Sequence, residues 1–487
     1  MKFFSIFITI SLLIFWLVKS DVSITYADSG FMWIQIQEFL RSGFQSVSIP
    51  YPGVSFDPEG KFSAFQAPFY GKHGNNFYIG FPPYFPILFG FVSFLFSSNL
   101  SLYLVQILFF SLSVYVLFES ILILTKQKFV SFCLSLFYQI GTTVSLYTLV
   151  LHEYTVSLFF LYAGIYFLLR YSFHDQKEIW CLPISALMMA ISLYFRLEFI
   201  FVILSWGLAT VLFQKVAWKP LFSYFLPVFL LVAIVLFASN MSLHGHPLGF
   251  RYTLTMSDPI TQNGDRLTII YELLFGKKRG FFLQSPGLFL FTILACFYLV
   301  KGRLKKDDLL YFFSVFIVSF ILVLLQAPNH GDHLSPRYLF GVYPSILFFT
   351  AILYKVYHDQ LQKKVKLLVY GLTIITFLFS VKELYKGILF IKTSDKVVRE
   401  LTERFRSRKE SVLVFGDLAL PKNLQTIYFE KRQFYVKPEE LQMFLNLSKI
   451  PASEILYLTT ENIGTCVKGT PICKDAEWMT YGLYRSK

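Results

Sequence analysis

Apolar runs long enough to cross a lipid bilayer recur along most of this chain, and that pattern decides what it can fold into. They fall at 101–124, 129–150, 155–171, 181–197, 199–213, 220–239, 286–300, 309–326, 338–356 and 367–383. One more, at 3–18, follows Met1-Lys2 and is closed by Lys19 and Asp21. Only 15% of the 487 residues are charged and 55% are hydrophobic, whereas a soluble chain carries about 25% charge. A soluble enzyme, a disordered scaffold and a disulfide framework are therefore excluded. The expected fold is an α-helical polytopic membrane protein of about 11 transmembrane helices.

The excess of 44 Lys and Arg over 30 Asp and Glu would suggest nucleic acid in a soluble protein. Here the cations collect in short connections, which points to loops kept in the cytoplasm and to no nucleic-acid partner. The connections are marked by Lys126 and Lys128, by Arg170 and Lys177, by Lys215 and Lys219, by 301–306, and by 355–366. They alternate, so all five fall on one side if each run spans once. Residues 20–80, the His152-Glu153 turn, 240–284, 327–337 and the 384–487 tail then face the other side. Run 81–96 cannot cross on this count and should lie along the outer leaflet as a kinked interfacial helix, beginning Phe81-Pro82-Pro83-Tyr84-Phe85-Pro86. The run at 3–18 also fits a cleaved signal peptide, although no A-x-A site follows it.

The tail differs in character. An amphipathic helix at 396–408, strands at 411–415, 426–429, 433–436 and 454–458, and a helix opened by Pro438-Glu439-Glu440-Leu441 imply a small C-terminal extracytoplasmic α/β domain. The division is thus 1–385 for the transmembrane domain, with 20–98 as its first outer loop, and 386–487 for the tail domain. Of five cysteines, Cys133, Cys181 and Cys296 lie in apolar runs as packing residues. Cys466 and Cys473 lie in the tail, where an oxidising compartment would let them pair.

Chemistry is sought among charges beside hydrocarbon, which are costly to keep there. Asp28, in Tyr26-Ala27-Asp28-Ser29-Gly30, opens a helical stretch and reads either as an N-cap or as a reactive acid near the bilayer surface. His152 and Glu153 form a second candidate, or a plain interfacial turn. Arg196 and Glu198 read as a structural ion pair. Arg251, Arg266, Lys277, Lys278, Arg279 and Arg337 place cations on the outer side, against the usual charge rule. An anionic lipid head group, above all a phosphate, explains them, as does general attraction to anionic lipid. Loop-one aromatics, among them Phe65 and Phe69, suit either sugar stacking or interfacial anchoring.

In order and sidedness, this set resembles the GT-C superfamily of integral-membrane glycosyltransferases, which includes protein O-mannosyltransferases and the lipid A aminoarabinose transferase. Asp28 before a helix is similar to that family's loop-one acid, the Pro82-Pro83 stretch to its "PPLYP" segment, and Glu153 to its second acid. His246-Pro247-Leu248-Gly249, Arg279-Gly280-Phe281 with Ser285-Pro286-Gly287, and Pro336-Arg337-Tyr338-Leu339 look like a bacterial branch. The resemblance implies an inner-membrane enzyme with its site on the periplasmic face. It would move a sugar from a polyprenyl-phosphate carrier to a lipid, glycan or protein acceptor, with inversion. Asp28 would be the general base, and Glu153 with His152 would orient acceptor or base. Lys277, Lys278, Arg279, Arg337 and Arg251 would hold the donor phosphate. Many relatives carry two adjacent acids where this chain has Asp28-Ser29. A divalent metal stays possible, and no cofactor is certain. The competing classes are a transporter or flippase for an envelope lipid or glycan, and a non-catalytic envelope assembly factor.

Overall fold

The computed structural model describes residues 2–18, 27–174, 176–257, 265–277, 280–300, 307–327, 335–460, 466–467, 470–478 and 481–486. The chain forms two compact units. One comprises Met1–Ser20, Leu102–Ser239 and Ile260–Ile391; the other comprises Asp21–Ser101, Asn240–Pro259 and Lys392–Lys487.

The first unit is an apolar helical bundle, and the protein is a multi-pass integral membrane protein. Among the described residues six helices are long and apolar enough to cross a bilayer: Asn99–Thr125, Tyr154–Phe173, Trp218–His244, Asp307–Gln326, Arg337–Gln360 and Lys363–Arg406. Lys2–Val18, Lys128–Ile140, Cys181–Phe195, Phe199–Leu212 and Pro286–Val300 are helices too, each shorter than a full crossing. Helices Tyr154–Phe173 and Cys181–Phe195 pack closely because Gly164 faces Met189. A Cβ there would lie 2.5 Å from Met189 Cγ, and the Ser185 hydroxyl donates to the Gly164 carbonyl at 2.7 Å. Small residues and a hydroxyl bond replace the hydrophobic drive that lipid cannot supply. The first helix is docked the same way: the Gln139 amide donates to the Phe7 carbonyl at 2.7 Å and to Ser11 Oγ at 3.0 Å.

Two expectations about helices change. Run 129–150 is not one span, since helix Lys128–Ile140 stops at Gly141 and a 3₁₀ turn follows over Thr143–Thr148. The Thr142 side chain caps that turn by accepting from Val144 N. The helix expected at 396–408 is the end of a 44-residue helix, Lys363–Arg406. With no proline in this stretch nothing breaks it, and at 1.5 Å per residue it is about 66 Å long, twice the hydrocarbon thickness. Its first half exposes Leu367, Leu368, Ile374 and Leu378 as a lipid-facing surface; its second half is charged. Cys181 is buried as expected, whereas Cys133 is exposed. Charge loop 301–306, most of 327–337 and the Cys296 side chain lie outside the described residues.

The second unit joins loop one to the tail. Strands β1 (Tyr70–His73) and β2 (Asn76–Ile79) make an antiparallel hairpin turning at Gly74, whose φ of 59° suits glycine. Helix Ala27–Arg41 packs on helix Tyr84–Phe96 at Gly90, where a Cβ would lie 2.7 Å from the Phe39 ring. The second helix has 13 residues and exposes Phe94, Leu95 and Phe96. It is too short to cross and presents an apolar edge, as an interfacial helix should.

The tail is the expected α/β domain. Strands β3 (Val412–Phe415), β4 (Arg432–Tyr435), β5 (Ile455–Thr459), β6 (Ile472–Trp478) and β7 (Tyr481–Ser486) form a sheet of order β4-β3-β5-β7-β6. β3 pairs in parallel with both β4 and β5, and all its residues are buried, as central parallel strands require. Loop one covers the β4 edge: Tyr435 N donates to the Phe62 carbonyl at 3.0 Å and Ser63 bridges Phe434. The stretch 426–429 is not a strand. Leu424 and Ile427 turn inward three residues apart on a pair of 3₁₀ turns, Pro421–Asn423 and Gln425–Ile427. Cys466 and Cys473 form a disulfide.

Candidate active site

Two groups of polar side chains stand out, one in each unit. In the loop-and-tail unit, Asp28 lies within the first turn of helix Ala27–Arg41, with Arg41 in the last. It is therefore a helical residue rather than the cap before the helix, and its charge sits favourably at the positive end of the helix dipole. The side chain is half-buried. Both 3₁₀ turns of the tail pack against this helix. Gln425 lies directly over Gly30, where an added Cβ would come within 1.6 Å of its Oε1, so only glycine fits.

Lys422, on the first of those turns, points its ammonium at the Phe69 ring, 4.6 Å from the centroid. Burial pulls its pKa down and the Asp28 charge opposes that shift. Phe69 stacks on Phe31 of the Asp28 helix, centroids 5.2 Å apart and planes 8° apart, and both touch Phe81. The Arg251 guanidinium lies over Phe81 at 4.9 Å. One aromatic cluster thus carries two cations beside the helix of the acid. The Pro-Pro segment is fixed from two sides: Gln35 Nε2 donates to the Phe81 carbonyl, and the Tyr84 hydroxyl donates to Asn240 Oδ1 at 3.0 Å. Asn240 Nδ2 in turn donates to the Pro247 carbonyl at 3.0 Å.

In the bundle unit the group is closed and ionic. Glu153, 1% exposed, precedes helix Tyr154–Phe173. Its carboxylate takes Arg196 Nη1 at 2.6 Å and His152 Nδ1 at 3.0 Å. Arg196 also reaches Glu198 at 2.6 Å, bonds the Tyr154 hydroxyl, and lies 4.0 Å over the Tyr154 ring. Arg337, 5% exposed, opens a 3₁₀ turn and meets His152 Nε2 at 3.4 Å. Burial pushes the Glu153 carboxyl up, but His152 and Arg196 outweigh it and hold the group well below the usual carboxylate range. A carboxylate so satisfied orients its neighbours well and takes up a proton poorly.

The structure therefore gathers His152, Glu153 and Arg337 in one unit, and Asp28 and Arg251 in the other. Lys277 is exposed, Lys278 and Arg279 lie outside the described residues, and Arg266 is committed to the Ala327 carbonyl. The Arg196–Glu198 pair is present and extends to Glu153, a link that sequence does not display. Nothing in the local pattern of Lys422 and Gln425 marks their approach to the Asp28 helix, and almost 400 residues separate them from Asp28. Among the described residues no group of three or more His, Cys, Asp or Glu is placed to hold a metal.

No known family profile and no curated protein matches the sequence. Solved structures do. ArnT from Cupriavidus metallidurans bound to undecaprenyl phosphate superposes with a TM-score of 0.59 at 11% identity, covering 99% of this chain and 97% of that one. Its apo state gives 0.58 at 10% identity. The archaeal oligosaccharyltransferase AglB from Archaeoglobus fulgidus, in complex with an inhibitory peptide and a dolichol-phosphate, gives 0.53 at 9%, covering 95% and 69%. The chain therefore has the fold of these structures over nearly its whole length. Within this fold, Asp28 and the Pro82-Pro83 segment occupy one unit together with the tail, and Glu153 sits at the start of a spanning helix.

Proposed function

We propose that the protein is an integral-membrane glycosyltransferase that moves a sugar from a polyprenyl-phosphate carrier to a lipid, glycan or protein acceptor. The observation that carries this reading is the likeness of nearly the whole chain, both units included, to a transferase fold seen with undecaprenyl phosphate bound. The chemistry needs few groups. A phosphate monoester of a lipid leaves without being protonated, so one carboxylate is enough. Asp28 takes the proton of the attacking hydroxyl as its oxygen bonds to the anomeric carbon. The bond from that carbon to the phosphate oxygen breaks with its electron pair, and the centre inverts. Arg251, in the same unit as Asp28, supplies a cation to the phosphate. The reaction takes place on the outer face of a bacterial inner membrane; the alternation of Lys and Arg in the loops and the Cys466–Cys473 disulfide support that side.

Mass spectrometry of envelope glycans and glycolipids from a deletion strain tests the reading. One sugar should be missing, return with the wild-type gene, and stay missing with normally expressed Asp28→Asn. No change on deletion, or full rescue by Asp28→Asn, would remove the catalytic assignment and leave transport or assembly in its place.

A further inference from the structure

Three hydrogen-bond donors lie on the helix that carries Asp28 or on the aromatic cluster packed against it, and two of them come from the tail domain. Gln425, 2% exposed, has its Oε1 pressed over Gly30 while its Nε2 meets no acceptor among the described residues. Arg251 Nη1 likewise meets none, although it is buried against Phe81. Lys422 completes the set from the Phe69 ring. A buried amide or guanidinium nitrogen without an acceptor costs free energy, so such groups ask what they are kept for. Donors alone, on an apolar aromatic floor beside a carboxylate, suit one ligand class: an oxyanion whose lipid portion is apolar.

We propose that Lys422 and Gln425 of the tail domain are donor-binding residues, which with Arg251 grip the phosphate of the polyprenyl carrier beside Asp28. This rests on the transferase reading and extends it, because it makes the tail a working part of the site rather than an accessory. Lys422 supplies a point charge for a phosphate oxygen, and the Gln425 amide donates to a second one. The lowered Lys422 pKa agrees with a cation held partly out of water until an anion arrives. The same ammonium, placed near the carboxylate, keeps the leaving phosphate and the base from repelling each other.

Undecaprenyl phosphate binding to the purified full-length protein in nanodiscs, with undecaprenol as the uncharged control, decides the matter. Lys422→Met should weaken undecaprenyl phosphate binding about tenfold or more, Lys422→Arg should retain most of it, and Gln425→Leu should lose severalfold, with undecaprenol unaffected in every case. Wild-type affinity in both Lys422→Met and Gln425→Leu would overturn the assignment while leaving the transferase reading intact. Equal loss of undecaprenol binding would also overturn it, since the effect would then lie in packing and not in phosphate recognition. A wild-type protein that binds no undecaprenyl phosphate would overturn both readings together.

Discussion

Asp28 and Glu153, one in each unit, live in opposite surroundings. Glu153 is 1% exposed, with Arg196 at 2.6 Å and His152 at 3.0 Å, and Arg196 is itself shared with Glu198. Asp28 is half-buried on the first turn of a helix and feels Lys422. The first arrangement spends its charge internally, with Arg196 shared between Glu153 and Glu198 and His152 on the other side of Glu153. The second places the acid beside donors of which Gln425 Nε2 and Arg251 Nη1 meet no acceptor among the described residues. Both acids stand out equally in the sequence. The contrast lies in how each acid is surrounded: one in a closed ionic network, the other on a half-buried helix turn.

That contrast can be broken by exchange of roles. Asp28→Asn should lower transfer by about 10²- to 10⁴-fold with little change in melting temperature, as loss of a general base does. Glu153→Gln should do the reverse, melting earlier and keeping measurable turnover. If their effects were interchanged, the assignment of base and positioning group would be interchanged too.

Next in size is Arg196→Met. It strands the buried Glu153 and leaves the partly exposed Glu198 without its arginine, and should cost about 3–5 kcal/mol, read as an earlier thermal transition in detergent. Adding Glu153→Gln should restore part of that loss. A single variant that melts with the wild type would mean the network carries no stability. Gly30→Ala, in the other unit, should cost about 1–3 kcal/mol by pushing Gln425 aside. Its turnover should fall further than its stability explains.

The pH dependences are smaller and share one sign, since both groups have lowered native pKa values and each adds stability as pH rises, in its own window. Glu153 is held below its ordinary value of 4.5, near 2, so its stabilisation is full above about 4.5 and is lost as pH falls toward 2. Glu153→Gln should flatten that acid limb of the melting curve. Lys422 is lowered from 10.5, so the unfolded chain binds the extra proton, and stability gains as pH rises through the native value toward 10.5. At neutral pH the lysine is a liability that Lys422→Met relieves, and the variant should melt no earlier than wild type. A clear drop in its melting temperature would make Lys422 a structural residue.

Much of the architecture is legible because hydrocarbon imposes a coarse rule on sequence. Runs of apolar residues mark the bundle, and Pro82-Pro83 before a short run marks the interfacial helix. The tail strands Val412–Phe415 and Ile455–Thr459 announce themselves as unbroken apolar stretches. Hairpin β6–β7 does not, because Lys474, Asp475 and Glu477 interrupt its alternation. The break at Gly141 is hidden for a different reason: Thr142, Thr143 and Ser145 are tolerated in a span as readily as in a turn. At the site, Asp28 is visible as an acid out of place, and Glu153 likewise. What is not visible is pairing at a distance. Arg196 reaches Glu153 and Lys422 approaches Asp28 only because helices and turns fold back on one another, and no local pattern encodes that.

The composition of the second unit bears on how the protein is made. Its three pieces, ending at Ser101, running from Asn240 to Pro259, and resuming at Lys392, are separated by most of the bundle. At 5–20 residues per second, about 290 residues and about 15–60 s of translation pass between the end of the first piece and the start of the last. For that time the loop-one helix lacks the tail turns that pack on it, and Phe62 and Ser63 lack the strand edge they cover. A ribosome stalled before the final hundred residues would leave an inserted bundle with an unassembled, aromatic-rich loop, a natural target for membrane quality control. Biogenesis thus withholds the finished site until the last segment has been synthesised.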